Sequence, residues 1–205
     1  MKYGRLVYRY TGKTYENSTA IYNIGDNVQT FAIDNIYKRM GIKTEDLVYI
    51  NVTEMANYNG EYVILPIACY GSHYKRFSQF PTSDKIIPLF VSFEMSDMNC
   101  DDIIPYLKKN EPIGCRDEKT MLLLRSKGIE AYLSGCLTIT LPRRSKRPSN
   151  GKVFLVDISA KLEKYIPDSI RKKCEYVKQE GEIGHIPMTE EDRINVDKYA
   201  KEVFG

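Results

Sequence analysis

Apolar residues recur at every fourth position from Val28 through Ala32 and Ile36 to Met40, with Phe31 and Ile33 beside the stripe. That one-sided pattern predicts a helix over 26–40, stopped at Gly41. Elsewhere the apolar positions run on without alternation, over Leu47–Val52, Tyr62–Ile67 and Ile86–Phe93. Such runs predict strands buried on both faces. Leu6–Tyr10 predicts a first strand, Pro112–Cys115 another, and Ile129–Leu133 and Leu137–Leu141 two more. A short helix fits 101–109. Asp117 is placed to cap a helix over 118–127, which has Met121, Leu122 and Leu124 to bury and Gly128 just past its end.

Strands alternating with helices predict an α/β fold over 1–141: a Rossmann-like, mostly parallel sheet with helices on both faces. Residues 142–151 break the pattern with Pro142, Pro148, Gly151 and the cations Arg143, Arg144, Lys146 and Arg147. A solvated linker is the plainer account of this stretch, and a phosphate- or nucleic-acid-binding patch is the other. Beyond it, Val153–Ile158 predicts a strand, and Ser159 caps a helix that Pro167 ends. Ile170–Cys174 reads as helix, Tyr176-Val177 as a short strand and 190–204 as a polar helix. So few elements do not make a core alone. The segment 152–205 is therefore expected to pack on the first unit or to open a second α/β unit.

Composition narrows the classes. Hydrophobic residues are 42% and charged residues 28% of the chain, which excludes wholesale disorder. The apolar runs fall far short of the roughly 18–20 residues of a membrane span, and Met1-Lys2-Tyr3 opens without an apolar signal core. The chain thus reads as cytoplasmic, with no membrane span. Thirty basic against 27 acidic residues give +3, too balanced to call for nucleic acid. Five widely spaced cysteines without a CxxC pair read as reduced, mostly buried thiols. No His/Asp/Glu cluster has metal-ligand spacing, so no metal is expected. Sixteen tyrosines supply amphipathic rings suited to sugar or protein surfaces.

Three turns carry the candidate chemistry. Asn23-Ile24-Gly25-Asp26-Asn27-Val28-Gln29 joins the first strand to the first helix, at the rim where open α/β sheets bind ligands. Gly25 permits close backbone approach, the helix start offers N–H groups, and Asp26 accepts sugar hydroxyls with Asn23 and Gln29 beside it. The plainer account makes Asp26 the helix cap and Gly25 the turn residue. No GxGxxG or GxxxxGK[ST] pattern supports a dinucleotide or P-loop site. In Gly114-Cys115-Arg116-Asp117, Arg116 offers a planar fork to a carboxylate or phosphate, or else pairs with a nearby carboxylate. Cys115 has no neighbouring base and reads as a small buried residue. In Ser134-Gly135-Cys136, Gly135 suggests a tight turn where a ligand or another backbone comes close, and no base is placed to activate Ser134 or the thiol. His73 lies in a glycine-containing loop after the third strand and is the better of the two histidines for proton transfer. His185 sits in a glycine- and proline-flanked loop. A plain surface histidine fits both.

At these residues the sequence resembles the polysaccharide pyruvyl transferase family. The resemblance is carried by Pro112-Ile113-Gly114-Cys115-Arg116-Asp117, the helix ending at Lys127-Gly128-Ile129, and Ala131-Tyr132-Leu133-Ser134-Gly135-Cys136-Leu137-Thr138. Asn23 to Gln29, Val156-Asp157 and Tyr165-Ile166-Pro167 add to it. It implies a glycosyltransferase-B-like architecture of two Rossmann-like halves with a ligand cleft between them. It also implies transfer of the enolpyruvyl unit of phosphoenolpyruvate onto sugar hydroxyls as a ketal, with phosphoenolpyruvate as donor substrate rather than cofactor and a carbohydrate as acceptor. Asp26 and Arg116 carry over as cleft residues, Arg116 as the anion contact. The family's Ser-Arg-Leu-His-like motif, expected to supply a donor-binding arginine and a histidine acid, has no counterpart here. Neither His73 nor His185 matches it, so the catalytic acid is expected from a second half or from a partner such as a second copy. Two other readings stand beside this one: a carbohydrate- or nucleotide-sugar-binding module without chemistry, and a glycosyltransferase-like enzyme.

Overall fold

The structure is a computed structural model that describes residues 1–9, 20–68, 79–95, 101–143 and 152–204. The predicted strand end at Tyr10, the candidate His73 and most of the 142–151 linker lie outside these residues.

Four parallel strands form the centre: β1 (Lys2–Val7), β3 (Leu47–Asn51), β4 (Val63–Ile67) and β5 (Ile86–Phe90). Their order is β3-β1-β4-β5. The chain passes from β1 to one neighbour and then crosses to the other side, so the direction of winding reverses between β1 and β4. In open α/β sheets ligands collect at the carboxyl-end rim of such a reversal. Short strands β6 (Ile113–Cys115) and β7 (Ala131–Leu133) pair in parallel. They join the β5 side through a parallel bridge between Phe93 and Cys115, with Phe93 N donating to Gly114 O at 2.9 Å and Arg116 N donating to Phe93 O at 2.8 Å.

Alternating strand positions divide between two apolar layers. Leu6, Ile50, Leu65 and Phe90 belong to the larger core, while Tyr3, Leu47, Ala68 and Val91 belong to the smaller. β4 is buried on both sides, as its continuous apolar run predicts. β5 is not: Ile87 is 45% and Leu89 52% exposed. A continuous apolar run therefore does not guarantee two covered faces. Tyr49 on β3 is likewise exposed.

Helix α1 (Ile24–Arg39) covers the smaller layer with Ala32, Ile33 and Tyr37. It is pinned to β1 by Tyr37 Oη donating to Gly4 O at 2.9 Å and by Thr30 Oγ1 donating to Leu6 O at 3.2 Å. It starts two residues before the predicted boundary because its cap is Asn23, whose Oδ1 accepts from Gly25 N at 2.8 Å. Asp26 lies inside the first turn, where a carboxylate suits the helix dipole. Helix α2 (Ile104–Lys109) buries Leu107, and α3 (Glu118–Ser126) is capped by Asp117 as expected, with Thr120 N donating to it at 2.8 Å.

The predicted strand over 137–141 is instead a 3₁₀ turn over Leu137–Thr140. One distant and one local side chain satisfy its backbone: Leu137 N donates to Ser92 Oγ at 3.1 Å, and Thr140 Oγ1 donates to Leu137 O at 2.7 Å. Gly135, at φ 73°, makes the bend that leads into it.

The segment after 152 forms its own parallel pair, β8 (Val153–Val156) with β9 (Cys174–Val177), carrying α4 (Ala160–Glu163) and α5 (Asp168–Arg171). The two helices are shorter than the sequence suggests. Two features tie this segment to the rest of the chain. β10 (Glu180–Glu182) pairs antiparallel with β2 (Ile21–Asn23), just ahead of α1. Helix α6 (Glu190–Phe204) packs along α1, where Asn27 Nδ2 donates to Asp197 Oδ1 at 2.5 Å. Val177, Met188, Val196 and Ala200 enter the larger core.

Candidate functional site

A cavity of about 360 Å³ opens at the start of α1. That volume lies within the range of small-ligand pockets. Asn23, Gly25, Asp26, Gln29 and Arg116 line it. Arg116 follows the carboxyl end of β6, so the cavity sits on the carboxyl-end rim. Five of the sequence candidates are thus brought together.

The helix start is closed, however. Ile24 N donates to the Gln179 carbonyl at 2.9 Å, and Gly25 N is taken by the Asn23 cap. Two of the N–H groups expected to meet a ligand there are therefore spent. Gln179 Nε2 donates to Asn23 Oδ1 at 3.0 Å, and a Cβ at Gly25 would run into the Gln179 carboxamide. Gly25 serves this close approach by the residue preceding β10.

Asp26 is buried, 5% exposed. Arg116 Nη1 pairs with Glu94 Oε2 at 2.6 Å, so the plainer reading of this arginine also holds. Both partners keep about a third of their side-chain surface exposed, and such a pair stabilises little. Its consequence is to hold a guanidinium fork at the cavity wall.

Gln29 is 3% exposed; its Nε2 donates to Cys136 Sγ at 3.1 Å, while its Oε1 has no hydrogen-bond partner. Asn27 Oδ1 is also orphaned but does not line the cavity. A buried acceptor without a donor costs about 1–3 kcal/mol.

Ser134 and Gly135 do not line the cavity; they hold up its wall. Ser92, at φ 58° and fully buried, is in the left-handed region. Its N–H donates to Ser134 Oγ at 2.9 Å, and Ser134 Oγ donates to Cys115 O at 3.0 Å. Together with the Ser92–Leu137 bond, this ties β5, β6 and the 3₁₀ turn, and so sets where Cys136 and Thr138 meet the cavity. Thr138, Gln179 and Phe204, which line the cavity together with the apolar Val28 and Leu141, are not among the sequence candidates. Cys136 belongs to the third candidate turn, directly ahead of the 3₁₀ turn. Gln179 and Phe204 arrive from far along the chain and left no local signal.

The thiols differ. Burial, then the Asp117 carboxylate, pushes Cys115 up to about 11, with Arg125 opposing. Burial also pushes Cys136 up, but hydrogen bonds with Thr138 and Gln29 and the charge of Arg116 outweigh it, leaving this thiol below its ordinary value. His185 lies outside the cavity and pairs with Asp192 Oδ2 at 3.0 Å on the surface.

A second cavity, of about 510 Å³, lies at the carboxyl ends of β1 and β3. Its cations are matched within it: Arg9 pairs with Glu54 at 3.6 Å and Arg193 with Glu190 at 2.7 Å. No helix among the described residues is long and apolar enough to cross a membrane.

Among known families, the one described as polysaccharide pyruvyl transferase matches residues 23–202. That span takes in the α1 turn, Arg116, Cys136 and Gln179. No curated protein and no solved structure gives a match.

Proposed function

This chain belongs to the polysaccharide pyruvyl transferase family, and we propose that the cavity between Asp26 and Arg116 seats the reactants of pyruvyl transfer from phosphoenolpyruvate to a carbohydrate. The observation that supports this reading most is the convergence of those two side chains on one cavity from turns far apart in the chain.

The donor carries a carboxylate and a phosphate, and the planar fork of Arg116 suits either. The acceptor carries hydroxyls, for which the Asp26 carboxylate and the orphan Gln29 Oε1 are acceptors. In the transfer, the donor's methylene carbon gains a proton and its C2 becomes cationic. Two sugar hydroxyl oxygens bond to C2, the bond from C2 to the phosphate oxygen breaks, and phosphate leaves with the electron pair. One hydroxyl proton balances the proton gained by the methylene and the other goes to the phosphate. Fixing donor and hydroxyls in one cavity supplies the proximity such a step needs.

A thermal-shift panel tests the reading, since a ligand that binds only the folded state stabilises it by mass action. Phosphoenolpyruvate is expected to raise the melting temperature. A shift with oligosaccharide alone would favour a binding module, and a shift with a nucleotide sugar a glycosyltransferase-like enzyme.

A further inference from the structure

Cys136 is unlike the other described cysteines. Cys115 is fully buried. Cys174 Sγ donates to Arg171 O at 3.3 Å and does not line the cavity. Cys136 is half-buried and lines the cavity, with its Sγ 3.1 Å from Gln29 Nε2 and 3.0 Å from Thr138 Oγ1. Arg116 lines the same cavity, near enough for its charge to act on the thiol. Hydrogen-bond donors on sulfur and a nearby cation favour the thiolate, the nucleophilic form. A second observation concerns the same cavity: Gln29 is 3% exposed, lines it and keeps Oε1 without a hydrogen-bond partner.

We propose that Cys136 is a covalent modification site for small carbon electrophiles that bear a carboxylate, with the carboxylate drawn to Arg116 and the sulfur attacking the electrophilic carbon. This goes beyond the transfer reaction and needs no assumption about its donor. With iodoacetate as the minimal probe, the thiol proton passes to buffer and the Cys136 sulfur bonds to the methylene carbon. The carbon–iodine bond breaks and iodide leaves with the electron pair. The carboxymethyl group then occupies the cavity.

The charge on the probe makes the site recognisable. The full chain is treated at neutral pH with iodoacetate or iodoacetamide in parallel, and labelling at each cysteine is followed by peptide mass spectrometry. Cys136 is expected to label at least about fivefold faster than Cys174, with Cys115 unlabelled while the chain is folded. At Cys136 the anionic reagent is expected to gain on the neutral one by about threefold or more, relative to the same residue in urea-unfolded chain. Arg116→Gln, checked for folding by its melting curve, is expected to abolish that gain. Equal rates at Cys136 and Cys174 would overturn the proposal, as would the same iodoacetate preference in folded and unfolded chain.

Discussion

Replacing Gln29 by methionine should make the protein more stable while weakening its site. Gln29 is 3% exposed and its Oε1 has no partner, so the folded state carries an unsatisfied acceptor that water satisfies in the unfolded chain. That mismatch costs about 1–3 kcal/mol. The carboxamide also makes one bond, Nε2 to Cys136 Sγ at 3.1 Å, and a hydrogen bond contributes about 0.5–1.5 kcal/mol. Methionine keeps the unbranched shape and fills the same space. The balance favours Gln29→Met by about 1 kcal/mol, which raises the melting temperature of a chain this size by roughly 2–4 °C. Urea titration followed by circular dichroism reads the first quantity, and a thermal melt the second. Binding of an acceptor carbohydrate should fall in the same variant, because the acceptor atom is gone. A loss of stability of about 1 kcal/mol or more would refute the reasoning, since it would mean that Oε1 is satisfied in the folded protein.

Three other outcomes follow from single contacts. Asn23→Ala removes the cap of α1 and the anchor of Gln179, and is expected to cost about 1–2 kcal/mol in a urea titration. Tyr37 is held protonated well above its ordinary value of 10.0 by burial, then by Asp34 and Tyr3. Above that ordinary value the unfolded chain releases a proton that the folded chain keeps, so stability falls as pH rises past 10.0. Tyr37→Phe should lose about 1 kcal/mol at neutral pH with its bond to Gly4 O, and show a shallower alkaline decline than the parent. Glu94→Gln removes the charge paired with Arg116 and should tighten phosphoenolpyruvate binding by roughly 2–5-fold in a calorimetric titration.

Local pattern carried the parallel layer well, because its information is local. The stripe through Val28, Ala32 and Ile36 gives α1, Asp117 gives the start of α3, and the run at Tyr62–Ile67 gives β4. The readings that differ do so where side chains or distant segments take over. Ser92 and Thr140 hold 137–140 in a turn despite its β-branched composition. β2 and β10 span three residues each and pair across the length of the chain, so no window of sequence reveals them. For the same reason the turns bearing Asp26 and Arg116 were legible as candidates, whereas Gln179 and Phe204 were not.

Calorimetric titration of phosphoenolpyruvate into the parent chain and Arg116→Gln tests the central claim, that the cavity between Asp26 and Arg116 receives the anionic donor. The account predicts saturable binding by the parent and a Kd raised roughly 10- to 150-fold in the variant, the weight of a charge-assisted hydrogen bond of about 1.5–3 kcal/mol. Equal affinity in the two proteins would contradict it.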